Sequence, residues 1–182
     1  MATSELPLTL RKVVVAIDGS KHAQNALDWY IKQVHRPTDE VILVYIPELS
    51  DLLQASRWEN TVYMFDRTVV QSLLDSEQAR IQKELTGFAE LLQSYKVTGR
   101  VRSIVASKAG EGIIQGVEEE KAEFVVVGCR GLGKIRRTFM GSVSDFVVHH
   151  SPVPVFVVRS ADDKEPEKEK EKEKEKEKAK DK

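Results

Sequence analysis

The sequence has little of what marks a secreted, membrane-spanning or nucleic-acid-binding protein. Its 182 residues include one cysteine, Cys129, so no disulfide can form within the chain, which indicates a reducing compartment. No apolar run approaches the ~20 residues that a membrane-spanning helix needs. The start of the chain is acidic at Glu5 and its short apolar stretch, residues 6–10, is unlike a signal peptide. These absences predict a soluble, cytoplasmic protein without a membrane partner.

An excess of basic charge is also missing. Charged residues make up 31% of the sequence, but residues 162–182 alone contain ten acidic residues and nine lysines. The rest of the chain has 19 residues of each sign, so no nucleic-acid partner is expected. The Glu-Lys alternation from Glu167 to Lys178 contains nothing apolar to offset the entropy cost of ordering. We expect an N-terminal extension over 1–10, one domain over 11–159 and a disordered tail over 160–182.

Five apolar runs are present in the predicted domain. They are Val13–Ile17, Val41–Ile46, Val101–Val105, Phe124–Val127 and Val153–Val158. All but the third are nearly unbroken and rich in valine or isoleucine, which is typical of strands buried on both faces of a parallel sheet. The third run is half polar, which favours a sheet edge.

Helical patterns separate these runs. Ser20 is a candidate N-cap for the first helix. The apolar face of that helix consists of Ala23, Leu27, Tyr30 and Val34. The positions from Val70 to Leu92 continue at helical spacing and predict a long helix of about 28 residues that contains them. Shorter helices are expected around 113–117 and 143–147, whereas 47–66 fits a loop or short irregular helix. Alternating strands and helices predict a doubly wound α/β domain with a five-stranded parallel sheet and helices on both faces.

A glycine-rich segment follows the fourth run, where α/β folds bind ligands at the carboxyl ends of their strands. It places Gly128, Gly131 and Gly141-Ser142 at the spacing Gly-x2-Gly-x9-Gly-Ser. Glycine lets main-chain N–H groups come close to a phosphate. Gly141-Ser142 also opens the last predicted helix, whose N-terminus attracts anions. The segment therefore predicts a phosphate-binding loop.

That spacing resembles the ATP-binding branch of the universal stress protein family. The opening Val13-Val-Val-Ala-Ile-Asp18-Gly-Ser20 and the closing Ser151-Pro-Val-Pro-Val-Phe-Val-Val158 are similar to the same family. The resemblance covers about residues 11–159 and implies the sheet order 3-2-1-4-5, which places the half-polar third strand at an edge. The sequence departs from the family pattern at Ser107-Lys-Ala-Gly-Glu-Gly112, where many relatives carry a Gly-Asp/Glu-Pro or similar helix start.

The resemblance implies a place for each part of an adenine nucleotide, ATP or the related ADP and AMP. The implied residues are Ala16, Ile17 and Ile46 for the adenine pocket; Asp18 for the ribose; Val127 and Gly128 beside ribose and phosphate; and Arg130, Gly131, Gly141, Ser142, Val143 and Ser144 for the phosphates. Mg²⁺ would be carried with the nucleotide, held mainly by its phosphates and by Asp18.

The function that these features favour is that of an ATP-binding regulatory protein of the stress response. The sequence offers no nucleophile with a partner and no assembled Mg²⁺ site, so at most slow ATP hydrolysis is expected. Two alternatives stay open: a weak ATPase or phosphate-transferring enzyme, and an interaction module that does not use nucleotide.

The run Val153–Val158 would be an apolar sheet edge. Pairing with the same strand of a second copy would cover it, and family members commonly dimerise in this way, so we expect a homodimer.

Overall fold

The computed structural model describes residues 10–48, 67–129 and 141–159. The predicted tail, all but the last residue of the N-terminal extension, and most of the predicted loop over 47–66 lie outside these ranges. The elements in chain order are β1 (Arg11–Ile17), α1 (Lys21–Gln33), β2 (Asp39–Tyr45), α2 (Arg67–Ser94), β3 (Gly99–Ser103), α3 (Ala109–Glu120), β4 (Phe124–Cys129), α4 (Ser142–His150) and β5 (Val155–Arg159).

The five strands form one parallel sheet in the order β3-β2-β1-β4-β5, which confirms the predicted order. β1 lies at the centre, and its Val13 pairs with Val41 of β2 on one side and with Phe124 of β4 on the other. Three of the four nearly unbroken runs belong to the central strands β1, β2 and β4, whose two faces are both covered, and the fourth belongs to the edge strand β5.

Helices cover both faces of the sheet, as predicted. Successive side chains of a strand point to opposite faces. Val13, Val15 and Ile17 accordingly pack under α1 and α2. Val14 and, partly buried, Ala16 pack on the other face with residues of α3 and α4. No helix among the residues described here is long and apolar enough to cross a bilayer.

The turn between β1 and α1 follows from three consecutive residues. Asp18 Oδ1 accepts a 2.9 Å hydrogen bond from the Ser20 N–H, and Ser20 Oγ accepts the Ala23 N–H at 3.3 Å. Ser20 is therefore the N-cap of α1, as its sequence position predicted. Gly19 between them has a φ of +76°, a conformation that favours glycine. The chain is thus redirected from the strand end into the helix within three residues.

The two edge strands begin at other residues than the apolar runs predict. β3 begins at Gly99, which pairs with Val41, because main-chain pairing with β2 extends into residues whose side chains are exposed. β5 begins at Val155 instead of Val153. Pro154 has no N–H to donate, and its carbonyl accepts the Val125 N–H at 3.0 Å at the start of the pairing.

Candidate functional site

The sheet has its topological switch point between β1 and β4. From β1 the chain passes through α1 to β2 on one side, while β4 and β5 lie on the other side. In such sheets ligands bind in the crevice outside the carboxyl ends of the two strands. Here those ends are formed by Ile17, the last residue of β1, with Asp18 after it, and by Gly128 and Cys129 at the end of β4.

Asp18 lies at the mouth of this crevice with an exposed side chain. One of its carboxylate oxygens receives the Ser20 N–H, which gives Asp18 a structural part in the turn.

The apolar residues predicted for the base pocket lie on two different faces of the sheet. Ala16 and Ile46 are both half-buried on the face that α3 and α4 cover. Ile17 points to the opposite face, where it is 3% exposed beneath α1 and α2. Val127 shares the face of Ala16 but is 2% exposed. Only Ala16 and Ile46 therefore offer side-chain surface to a ligand, whereas Ile17 and Val127 offer main chain.

Gly128 is a glycine because α1 packs directly on its Cα. A Cβ at this position would lie 2.5 Å from the carbonyl oxygen of His22 and 3.0 Å from the nitrogen of Ala23, both in the first turn of α1. These are main-chain atoms, which cannot rotate away as a side chain can. The packing of helix on strand therefore accounts for this glycine whether or not a phosphate lies in front of it.

Gly141 is different, because nothing in the described protein requires a glycine there. It precedes α4 as the N-cap with a φ of −61°, which any residue adopts. A Cβ would meet only Ser144 Oγ, at an ordinary 3.7 Å. Among the residues that the structure describes, no other atom lies close to this position, so none of them blocks the approach of a ligand to the main chain before the helix.

The first turn of α4 presents main-chain donors. Gly141 O accepts the Asp145 N–H at 2.9 Å and the Ser144 hydroxyl at 3.0 Å. Within the three described ranges, the N–H groups of Ser142, Val143 and Ser144 have no acceptor, as expected for the opening residues of a helix. The side chains of Ser142 and Val143 are exposed, while that of Ser144 is 3% exposed. Ser144 therefore offers its N–H, since its hydroxyl proton is already donated.

The remaining predicted phosphate contacts, Arg130 and Gly131, lie outside the described residues together with the rest of the glycine segment up to residue 140. Those two expectations stay predictions. In the described ranges, no group of three or more histidine, cysteine, aspartate or glutamate side chains could hold a metal ion. Asp18 is an exposed carboxylate at the end of β1.

The sequence interpretation missed the first turn of α3, which also reaches this edge of the sheet. A Cβ on Gly110 would lie 2.6 Å from the Phe146 ring of α4, and one on Gly112 would lie 2.6 Å from Ile46 Cγ1. The first turn of α3 therefore packs on the Phe146 ring of α4. Because both helices begin at the carboxyl edge of the parallel sheet, the dipoles of their first turns favour an anion there. The acidic residues Glu111 and Asp145 in those turns partly offset that potential. Two glycines one residue apart at a helix start were the signal available in the sequence.

The fold and this crevice define a doubly wound α/β protein with a candidate ligand site at its switch point. Residues 9–159 match the model of the Universal stress protein family, and the chain belongs to that family. It is 27% identical over 163 residues to universal stress protein PHOS32 of Arabidopsis thaliana, covering 85% of this chain and 67% of that protein. It is 29% identical over 151 residues to a universal stress protein of Thermus aquaticus, covering 82% and 98%.

A solved structure supports the same fold. The crystal structure of an Arabidopsis thaliana universal stress protein family protein with AMP bound matches with a TM-score of 0.58 and 20% identity. The match covers 86% of this chain and 97% of that one.

Proposed function

We propose that this protein is a stress-response regulatory protein that binds an adenine nucleotide, ATP or the related ADP and AMP, in the crevice outside β1 and β4. The observation that carries the proposal is the first turn of α4. Its Ser142, Val143 and Ser144 N–H groups have no acceptor in the described part of the chain, and a helix N-terminus of this kind binds phosphate. The AMP in the related plant structure supports adenine as the base.

The base would lie on the α3 and α4 face of the sheet. Ala16 and Ile46 offer half-buried apolar surface there, and the main chain of Ile17 and Val127 borders it. The exposed Asp18 carboxylate at the end of β1 would accept hydrogen bonds from the ribose hydroxyls.

The phosphates would extend from the ribose toward α4. The main-chain donors are those of Gly141 and the three residues after it, and the family pattern adds Gly131 and Arg130. Gly128 would border the phosphates through its main chain. Mg²⁺ would arrive with ATP and be held mainly by the phosphate oxygens, with Asp18 as a protein ligand.

A thermal unfolding experiment on the purified full chain tests this proposal. ATP at about 100 times its dissociation constant should raise the free energy of unfolding by roughly 2.7 kcal/mol. Gly141→Val should remove that gain, because a valine at a φ of −61° fits the main chain but occupies the space in front of α4. Gly131→Val is expected to act in the same way. Gly87→Ala is the control, because a Cβ there meets nothing within 4 Å of the described protein.

The outcomes separate the alternatives. Wild-type protein that gains no stability from ATP, ADP or AMP, or a Gly141→Val variant that keeps the full gain, would contradict the proposed site. ATP turnover that disappears in Asp18→Ala would favour the weak ATPase or phosphate-transferring enzyme. The absence of any nucleotide on denaturation, together with no thermal shift, would favour an interaction module.

We also propose a homodimer formed through β5, around the predicted run Val153–Val158. β5 is the last strand of the sheet order, and its side chains are mostly apolar. Phe156 is 36% exposed and contacts the rings of Trp29 and Phe124 at 5.8 and 5.2 Å. An apolar, unpaired edge is an aggregation hazard, and pairing with the same strand of a second copy would cover it symmetrically.

A further inference from the structure

The position of the Ile46 side chain depends on the first turn of α3. Ile46 is half-buried one residue past the end of β2, on the face that α3 covers. A Cβ built on Gly112 would lie 2.6 Å from Ile46 Cγ1 and 3.0 Å from Ala106 Cβ. Ile46 therefore occupies space that a side chain at position 112 would need.

The main chain is hydrogen-bonded on both sides of Ile46. Tyr45 O accepts the Ile104 N–H at 2.9 Å, which ties the end of β2 to the end of β3. Glu48 O accepts Arg80 Nη2 at 2.8 Å, which ties the residues after Ile46 to α2. A side chain at position 112 would accordingly be accommodated by rotation of the Ile46 side chain away from α3.

We propose that Gly112 is a positioning residue of the nucleotide site. Its missing side chain lets Ile46 lie back against α3, which would leave a slot beside Ala16 deep enough for a two-ring purine base. This inference rests on the proposed nucleotide function and adds to it a determinant of base size. Gly112 belongs to the segment where the sequence departs from the family pattern. That departure would therefore affect the part of the site that binds the base and not the loop that binds the phosphates.

Calorimetric titration of the full chain with ATP and with CTP tests the inference, because CTP has the same ribose and phosphates and a smaller base. Gly112→Ala should weaken ATP binding by at least about fivefold, since overfilling a packed site is costly. CTP binding should change by less than about twofold, because a one-ring base does not need the full depth of the slot. The ATP-to-CTP affinity ratio should therefore fall, a result that general loss of structure would not produce.

Gly116→Ala is the matched control, one helical turn further along α3. A Cβ there would contact Ile104 and Val44 of the core at 3.0 to 3.2 Å. It should alter the melting temperature and leave the ATP-to-CTP ratio unchanged. Because alanine favours a helix more than glycine, fraying of α3 would not explain weaker binding by Gly112→Ala.

A double-mutant cycle with Ile46→Ala keeps the test valid if Gly112→Ala folds poorly. In the Ile46→Ala background no isoleucine stands in the way, so Gly112→Ala should cost no ATP affinity and the two substitutions should be non-additive. An unchanged ATP-to-CTP ratio in Gly112→Ala, or the same loss in both backgrounds, would overturn the inference while ATP binding by the wild type still stands. A wild-type protein that binds no nucleotide would overturn the proposed function and this inference together.

Discussion

The hydroxyl of Tyr30 donates a 2.7 Å hydrogen bond to Oδ2 of Asp39, and both side chains are fully buried. Asp39 also receives Arg11 Nε and Nη2, each at 2.7 Å, and the Arg36 N–H at 2.9 Å. Arg11 and Asp39 are paired residues at the amino ends of β1 and β2, opposite the candidate site. The buried carboxylate is thus compensated by a cation and by hydrogen bonds on both oxygens, which is the condition for burying charge in a core.

Removing these partners should destabilise the protein in a graded way. Tyr30→Phe removes one hydrogen bond to a charged group and should lower the free energy of unfolding by about 1.5–3 kcal/mol. Asp39→Asn should cost about 3–5 kcal/mol, because it leaves the Arg11 guanidinium without its counter-charge. Urea unfolding at pH 7 measures both. Asp28→Asn, which loses a surface pair with Lys32, is the control and should cost less than about 1 kcal/mol.

The contribution of Asp39 to the free energy of unfolding should depend on pH in a defined direction. Burial alone would raise the pKa of Asp39, but the hydrogen bonds from Arg11, Tyr30 and the Arg36 N–H outweigh it and lower the pKa from 3.8 to about 2. A carboxyl whose pKa is lower in the folded state stabilises the protein above its unfolded pKa and loses this effect as the pH falls.

The stability difference between wild type and Asp39→Asn should therefore be full above about pH 5 and shrink by roughly 2 kcal/mol as the pH falls toward 2. Denaturant unfolding across this pH range measures it. A difference that stays constant down to pH 2 would show that the Asp39 carboxylate contributes nothing through its ionisation.

The fold should tolerate a methyl group at Gly87 and not at Gly128. Gly128→Ala brings a Cβ to 2.5 Å from the His22 carbonyl oxygen, so α1 must shift from β4 at a cost of about 1–3 kcal/mol. Gly87→Ala lies on the exposed face of α2 and should stabilise by about 0.4–1 kcal/mol. Melting temperatures of both variants give the comparison, and equal effects would argue against close packing of α1 on Gly128.

A charge on the exposed edge should separate the proposed dimer. Phe156→Lys places an ammonium group on β5, where the proposal puts two copies of the strand side by side, so monomer should predominate at micromolar concentration. Leu74→Lys is the matched control, because Leu74 is 45% exposed on α2, which packs near the opposite edge of the sheet. Sedimentation velocity distinguishes monomer from dimer. A wild-type protein that sediments as a monomer would contradict the proposed interface.

Much of the fold could be predicted from the sequence because the central strands are buried on both faces. Val13 to Val15 and Val41 to Val44 are fully buried, and burial on both faces produces an unbroken apolar run in the sequence. The bounds of the edge strands are less clear in the sequence. β3 begins at Gly99 and β5 at Val155 because main-chain pairing, and not side-chain burial, defines where an edge strand starts.

The candidate site could be predicted only as positions along the chain. The sequence placed Asp18 after the first strand and Gly141 before the last helix, and the structure has both there. Which side of the sheet Ala16 and Ile17 occupy was open, because a run without alternation does not show which residues share a face.

By itself, then, the amino-acid sequence determined the parallel sheet, its helical layers and the glycine spacing, because apolar runs and helical periodicity can be read directly along the chain. Only the tertiary structure decided that Gly128 makes room for α1 and Gly112 for Ile46. Both are contacts between segments far apart in the chain, and a glycine in the sequence does not show which distant residue packs against it.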